Sequence, residues 1–163
     1  MNNTSRYKKI EYKELTKLVS TNHNFISQIY EIFKENVFTY YGETPEQFSK
    51  FLIEKKRTTY LLLNNNEIVS CVLGTGQNKE FEVEYLLTKK KYQRKGNGTK
   101  LVLRIIAENR VQNITTTFKD PKHDTEKILE KITGKRKNKS DFIYEYKKTT
   151  PPLHAIKAKP RLR

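Results

Sequence analysis

Cysteine occurs once in the 163 residues, at Cys71, and histidine three times, at His23, His123 and His154. A lone thiol forms no internal disulfide, and the scattered imidazoles do not make the spaced Cys/His set of a zinc site. No apolar stretch approaches the roughly 18–20 residues that a bilayer-spanning helix needs; the longest are short runs such as Tyr60–Leu63. The first twenty residues, MNNTSRYKKIEYKELTKLVS, lack the apolar segment of a secretory signal. The glycosylation match Asn113-Ile-Thr is then accidental. These absences predict an intracellular, reduced, metal-free chain, cytoplasmic or nuclear, with no membrane partner.

Acidic residues are scarce as well: 18 against 33 Lys and Arg, a formal charge of +15. Residues 1–130 carry 22 basic and 16 acidic side chains, and residues 131–163 carry 11 and 2, so an excess of +9 sits in the last fifth. Such a field attracts polyanions at modest salt but says nothing of fold. Hydrophobic residues reach only 35%, yet eight Phe and ten Tyr supply enough bulky apolar surface to bury one core. The length suits one domain, read as residues 1–148, with residues 149–163 as a basic, flexible extension.

Within 1–148 the pattern predicts a strand, two helices, three strands, a helix, a strand, a helix and a strand. Tyr7–Lys13 alternates weakly, as an edge strand does. Ile26, Ile29, Tyr30 and Phe33 share a helical face. Thr44-Pro45 opens the next helix as N-cap and first turn, with Phe48, Phe51 and Leu52 as its buried side. Thr58–Leu63 and Glu67–Leu73 read as a hairpin closed by Asn64-Asn65-Asn66, because Asn tolerates positive φ. Gly74–Asn78 reads as a second turn before a strand over Glu80–Thr88. After KKKYQRKGNG comes an apolar helix with Leu101, Val102, Ile105 and Ile106. Val111–Phe118 follows as a strand, Asp120-Pro121 as a helix start, Ile128, Leu129 and Ile132 as that helix's stripe, Gly134 as its stop, and Phe142–Tyr146 as the last strand.

Chemistry concentrates where the Glu80–Thr88 strand runs into the glycine-spaced turn Gln93-Arg94-Lys95-Gly96-Asn97-Gly98-Thr99. A strand feeding a helix N-terminus through such a turn points several main-chain N–H groups at one spot, backed by the positive end of the helix dipole. That is a phosphate cradle. Gly96 and Gly98 are read as letting the backbone approach the anion, and Lys89–Lys91, Arg94, Lys95 and Lys100 as raising the local potential. The spacing G-x-x-x-x-G-K-[ST] of nucleoside triphosphatases is absent, and the dinucleotide pattern lacks its third glycine and follows several strands instead of opening the fold.

The remaining pattern, Q-x-x-G-x-G at Gln93–Gly98, set between an apolar strand and an apolar helix in this order of elements, resembles the GNAT superfamily of N-acetyltransferases over roughly residues 7–148. The local run Leu87-Thr88…Tyr92-Gln93-Arg94-Lys95-Gly96 also resembles the acetyl-CoA loop of MYST-type histone acetyltransferases, without the rest of that domain. The GNAT resemblance implies an α/β (α+β) fold, a mixed and mostly antiparallel sheet flanked by about four helices, and acetyl-CoA as co-substrate. It implies that Gln93, Arg94, Lys95, Gly96, Asn97, Gly98 and Thr99 bind the coenzyme's diphosphate, while main-chain groups of Leu86, Leu87 and Thr88 pair with its pantetheine.

The activity so implied is acetyl transfer to a primary amine on a protein or a small molecule, by direct attack in a ternary complex. A lysine-like amine with a pKa of ~10.4 is only about one part in 10³ neutral at pH 7, so a base or water relay has to help. Glu82, eleven residues before Gln93, has the spacing of the catalytic glutamate in some lysine acetyltransferases of the family; Glu84 lies on the same strand face, in reserve. A main-chain N–H near Leu86 would hold the oxyanion. Leu129 stands where the family often places an acidic tyrosine, leaving Tyr144, Tyr146 or solvent for that role.

Plainer readings stand beside these. Glu82 and Glu84 also fit the solvated face of a half-buried strand, Tyr144 and Tyr146 fit packing positions, Cys71 fits a small buried hydrophobe, and the three His fit surface positions. The charge of +15 also suits a basic module that associates with nucleic acid, with lapsed catalysis, or an enzyme whose acceptor amine is carried on RNA. The acceptor itself has no motif in the sequence.

Overall fold

A computed structural model describes residues 5–37, 44–116, 124–133, 136–138 and 143–145. One seven-stranded sheet runs through it in the order β1-β2-β3-β4-β5-β7-β6. The strands are β1 (Ser5–Ile10), β2 (Thr58–Asn64), β3 (Glu67–Gln77), β4 (Glu80–Thr88), β5 (Asn113–Thr116), β6 (Arg136–Asn138) and β7 (Ile143–Glu145). Every neighbouring pair is antiparallel except β4 and β5, which are parallel. The expected mixed, mostly antiparallel sheet is therefore present.

Helices cover both faces. α1 (Tyr12–Thr21), α2 (His23–Asn36) and α3 (Pro45–Glu54) pack on one side, where Leu15, Ile26, Ile29, Ile32, Phe33, Phe48 and Leu52 meet Leu61, Cys71, Leu73, Tyr85 and Leu87. α4 (Asn97–Asn109) and α5 (Asp124–Thr133) pack on the other, where Leu101, Val102, Ile105, Ile106 and Leu129 meet Tyr60, Val72, Phe81, Val83 and Leu86. Ile128 and Ile132 join that second cluster from α5, as the stripe predicts. Sheets with apolar side chains on both faces need such cover, which is why β2 and β3 read as nearly continuous apolar runs.

Local signals explain most boundaries. The Thr44 side chain accepts from the Gln47 N–H at 3.3 Å and caps α3, with Pro45 in its first turn. Asn65 and Asn66 take φ of 48° and 67° in the β2–β3 turn, the left-handed values a tight hairpin needs.

Four expectations need correction. Three helices precede β2, where the sequence suggested two: α1 carries only Leu15 fully into the core, too weak a stripe to read. The described residues contain five helices, and the one after β4 is the fourth. Gly74–Asn78 is not a turn, since β3 continues to Gln77 and the chain reverses at Asn78-Lys79, with φ of 52° and 67°. β6 was not foreseen, because Arg-Lys-Asn carries no apolar signal. β5 is observed as Asn113–Thr116. The Asp120-Pro121 start, the Gly134 stop, the ends of the last two predicted strands and the 149–163 extension lie outside the described residues.

Candidate active site

β4 is two strands in one. Its first half pairs on both sides: Glu80–Val83 lie against β3 and, in parallel, against Asn113–Thr116 of β5. Beyond Val83 the described residues give β4 no partner on the β5 side. A bulge follows directly. Val83 pairs with Gly74 and Tyr85 with Leu73, which leaves Glu84 as an extra residue on β4. The insertion resets the alternation of faces: Phe81, Val83 and Leu86 face α4, whereas Tyr85 and Leu87 face α1–α3.

Glycine is required opposite this bulge. A Cβ at Gly74 would lie 2.1 Å from the Glu82 carbonyl oxygen and 2.8 Å from the Phe81 ring. Gly74 thus serves close approach of two backbones, which is why its presence misleads as a turn signal.

Glu84 is not exposed to solvent as an idle strand-face carboxylate. Its Oε2 accepts from the Nε of Arg57 at 2.8 Å, with the Lys55 ammonium 3.9 Å away. Arg57 is 1% exposed, donates through Nη1 to the Phe51 carbonyl at 2.7 Å, and lies 4.6 Å over the Phe51 ring. A buried guanidinium needs a paired anion, and Glu84 is that anion. Sequence reading missed Arg57 because it closes the α3 segment like a surface residue. Glu82 sits two residues earlier, half-buried, opposite Thr75 and Thr115 in the doubly paired half.

After β4 a 3-10 turn, Lys90–Tyr92, leads into the loop. Arg94 and Gly96 both adopt left-handed φ, 59° and 75°, so the chain winds back on itself before α4 starts. The first main-chain bond of α4 runs from the Lys100 N–H to the Gly96 carbonyl at 3.0 Å, which leaves the N–H groups of Asn97, Gly98 and Thr99 without helical partners. No side chain caps this end. Gln93–Gly96 are exposed, and a Cβ at Gly96 would meet nothing within 4 Å. Three successive amides without helical partners thus lie at the positive end of a thirteen-residue helix, next to exposed Gly96. Gly98 also has a packing role. It is buried, and a Cβ there would press on Ile128 Cδ1 at 3.3 Å and Leu86 Cδ1 at 3.5 Å, so it serves the packing of α4 on the sheet and α5.

The cations around the loop divide into anchors and bystanders. Lys89 and Lys91 reach Glu67 Oε1 at 2.7 and 2.8 Å, and the Tyr92 hydroxyl donates to Glu67 Oε2 at 2.7 Å. Hydrogen bonds from Lys89, Lys91 and Tyr92 pull the Glu67 carboxyl down to about 2. These two lysines therefore fix the loop's start and contribute less to the local potential than expected. Lys95 lies 5.5 Å over the Tyr92 ring.

Gln93 also turns inward. Its Nε2 donates to Asn36 Oδ1 at 2.8 Å and to the Thr88 carbonyl at 3.0 Å, and its main-chain N–H donates to Lys90 at 3.2 Å. Asn97 Nδ2 closes the loop on the Tyr92 carbonyl at 2.9 Å. Leu87 gives its carbonyl to the Ser70 hydroxyl at 2.9 Å, and the Thr88 and Ser70 hydroxyls lie 2.9 Å apart. Of the expected coenzyme ligands, the geometry brings the amides of Asn97, Gly98 and Thr99 together, keeps Arg94, Lys95 and Gly96 on the surface beside them, and gives Gln93 an internal role.

Tyr144 lies on β7, opposite Ile114 of β5, with β5 between it and β4. Tyr146 is outside the described residues. Cys71 is fully buried, and burial pushes its thiol up to about 12, which leaves an inert packing residue.

A bulged strand that runs into a helix N-terminus without a side-chain cap is an arrangement able to hold a phosphate-bearing ligand in an α/β protein. Residues 26–128 match the acetyltransferase (GNAT) family, and the chain belongs to it. It is an acetyl-CoA-dependent N-acetyltransferase by that membership. No curated protein matches the chain in sequence.

Solved structures share the fold at low identity. The ribosomal-protein-S18-alanine N-acetyltransferase of Escherichia coli is 12% identical, with 93% of this chain and 99% of that chain covered and a TM-score of 0.60. The PaiA N-acetyltransferase of Thermoplasma acidophilum, solved with coenzyme A, is 13% identical over 88% and 99%, TM-score 0.52. The diaminobutyrate acetyltransferase EctA of Paenibacillus lautus, solved with its substrate and coenzyme A, is 10% identical over 82% and 76%, TM-score 0.52.

Proposed function

We propose that the protein acetylates a primary amine by direct attack in a ternary complex, with the coenzyme's diphosphate on the amides of Asn97–Thr99 and Glu82 as the base that receives the amine proton. One observation carries the reading: three main-chain donors without helical partners lie at the start of α4 beside exposed Gly96, where a Cβ would meet nothing within 4 Å. Acetyl-CoA, when bound, supplies an activated acyl group. The main-chain groups of Leu86 orient it, and Glu82 and Glu84, alternating with Phe81 and Val83 on the α4 side, lie on the α1–α3 side.

The engagement of Glu84 with Arg57 counts against Glu84 as the base, because a carboxylate that balances a buried guanidinium is poorly placed to give up its charge; Glu82 is proposed on its spacing eleven residues before Gln93. Two neighbours in fold are named for amine acceptors, a ribosomal-protein alanine and diaminobutyrate, which supports that class of acceptor here.

Calorimetry with acetyl-CoA tests the cradle. The natural chain should bind, and Gly96→Asp should weaken binding more than tenfold by placing a carboxylate where the diphosphate sits; equal affinities would remove the assignment. Mass spectrometry of an extract incubated with labelled acetyl-CoA and either protein identifies the acceptor. The excess of +9 in residues 131–163 supports a second reading, an acceptor carried on or beside a polynucleotide. Retention on RNA that falls with rising salt would favour it, and no retention at low salt would exclude it.

A further inference from the structure

We propose that Asn36, at the C-terminal end of α2, is a positioning residue for the coenzyme loop, so that the helix layer on the opposite face of the sheet sets the affinity for coenzyme A. The proposal rests on the acetyl-CoA reading above and assigns a residue that no sequence signal marked.

The last carbonyl of β4, on Thr88, accepts from two side-chain amides, Asn36 Nδ2 at 3.1 Å and Gln93 Nε2 at 3.0 Å. Gln93 Nε2 also donates to Asn36 Oδ1 at 2.8 Å, and Asn36 Nδ2 to the Ile32 carbonyl at 2.7 Å inside its own helix. Both N–H donors of each amide are therefore used, and the two side chains and one carbonyl form a closed triangle. One residue earlier in α2, Glu35 Oε2 accepts the Lys90 N–H at 2.8 Å.

α2 thus holds the loop at two points, the start of the 3-10 turn and Gln93. Gln93 stands four residues before Asn97, the first amide of the cradle, and the Asn97 side chain bonds back to Tyr92. Where the amides of Asn97–Thr99 point depends on where Gln93 is pinned. The hydrogen bonds of the Asn36 side chain go to Ile32, Thr88 and Gln93, so it acts through Gln93 and Thr88. An asparagine is suited to this place because its amide presents a donor and an acceptor on one rigid plane, and the triangle needs both.

Coenzyme A titrated calorimetrically into the full chain tests the proposal, using Asn36→Ala, Gln93→Ala, the double variant and Asn22→Ala. Asn22 caps the other end of α2, accepting from the Phe25 N–H at 3.0 Å, and touches nothing in the loop. Asn36→Ala and Gln93→Ala should each weaken coenzyme A about tenfold, and the double variant about as much as either single one, because both act on one triangle. Asn22→Ala should lower Tm while leaving the Kd within about twofold.

The proposal falls if Asn36→Ala binds like the natural chain, if the two losses multiply, or if Asn22→Ala weakens binding in step with its Tm. Gln93→Ala changes an exposed loop residue, so it reports on the triangle even where Asn36→Ala unfolds the chain. A natural chain that takes up no coenzyme A overturns the acetyl-CoA reading itself, an outcome distinct from these three.

Discussion

The two halves of β4 do opposite things with the same kind of sequence. Glu80–Val83 have neighbours on both sides, so their main-chain groups are used up by the sheet and only side chains are left to act. Glu84–Thr88 have β3 alone among the described neighbours, and two of their carbonyls are taken by side chains, Leu87 by the Ser70 hydroxyl and Thr88 by the amides of Asn36 and Gln93. On the proposed reading, side-chain chemistry belongs to the first half and main-chain recognition of the coenzyme to the second. The junction is one extra residue, Glu84, tied to a buried arginine on one face and made room for by Gly74 on the next strand.

The comparison can be broken first at its side-chain end. Glu82→Gln should lower kcat about 10²-fold or more while leaving the Kd for acetyl-CoA unchanged; steady-state rates beside calorimetry read both, and an unchanged rate would move the base elsewhere. At the junction, Arg57→Met leaves the Glu84 carboxylate buried without its partner and should cost about 3 kcal/mol in chemical denaturation. Adding Glu84→Leu should recover most of that loss, since an apolar pair replaces an ionic one; no recovery would mean that the bulge itself needs the charge.

Gly74→Ala approaches the same junction from β3. A methyl 2.1 Å from a carbonyl oxygen forces the strands apart, for an expected loss of about 2 kcal/mol read as a lower Tm. The smallest effect is at the far end of the second half, where Glu67 holds Lys89, Lys91 and Tyr92. Its folded carboxyl lies near 2 against an ordinary 4.5, so its contribution is complete above pH 4.5 and is lost as pH falls from there through 2. The Tm difference between the natural chain and Glu67→Gln should therefore be constant from pH 7 to 5 and shrink below pH 4.5.

How much of this was legible follows from the range of each interaction. The run from strand to helix could be read because its signals are local: a strand, a turn with glycines two apart and an apolar helix occupy one continuous stretch. The hairpin at Asn64–Asn66 and the Thr44-Pro45 start were legible for the same reason. The bulge at Glu84 was not, since alternation assumes an unbroken register, and nothing in Glu-Val-Glu-Tyr marks which residue is extra. Gly74 misled because a glycine that admits a neighbouring backbone looks the same as one that turns the chain. Arg57 with Glu84, and Asn36 with Gln93, pair across 27 and 57 positions, beyond any local pattern.

The bond from the Asn97 side chain to the Tyr92 carbonyl closes a small ring around Gln93–Gly96. With Glu67 gripping Tyr92 from below, the ring is shaped during folding, so the entropy of ordering those residues is spent before any ligand arrives. Capture of the coenzyme then resembles a key meeting a cut lock rather than a hand closing on a ball, and association should be limited by encounter and by the few waters displaced from the amides.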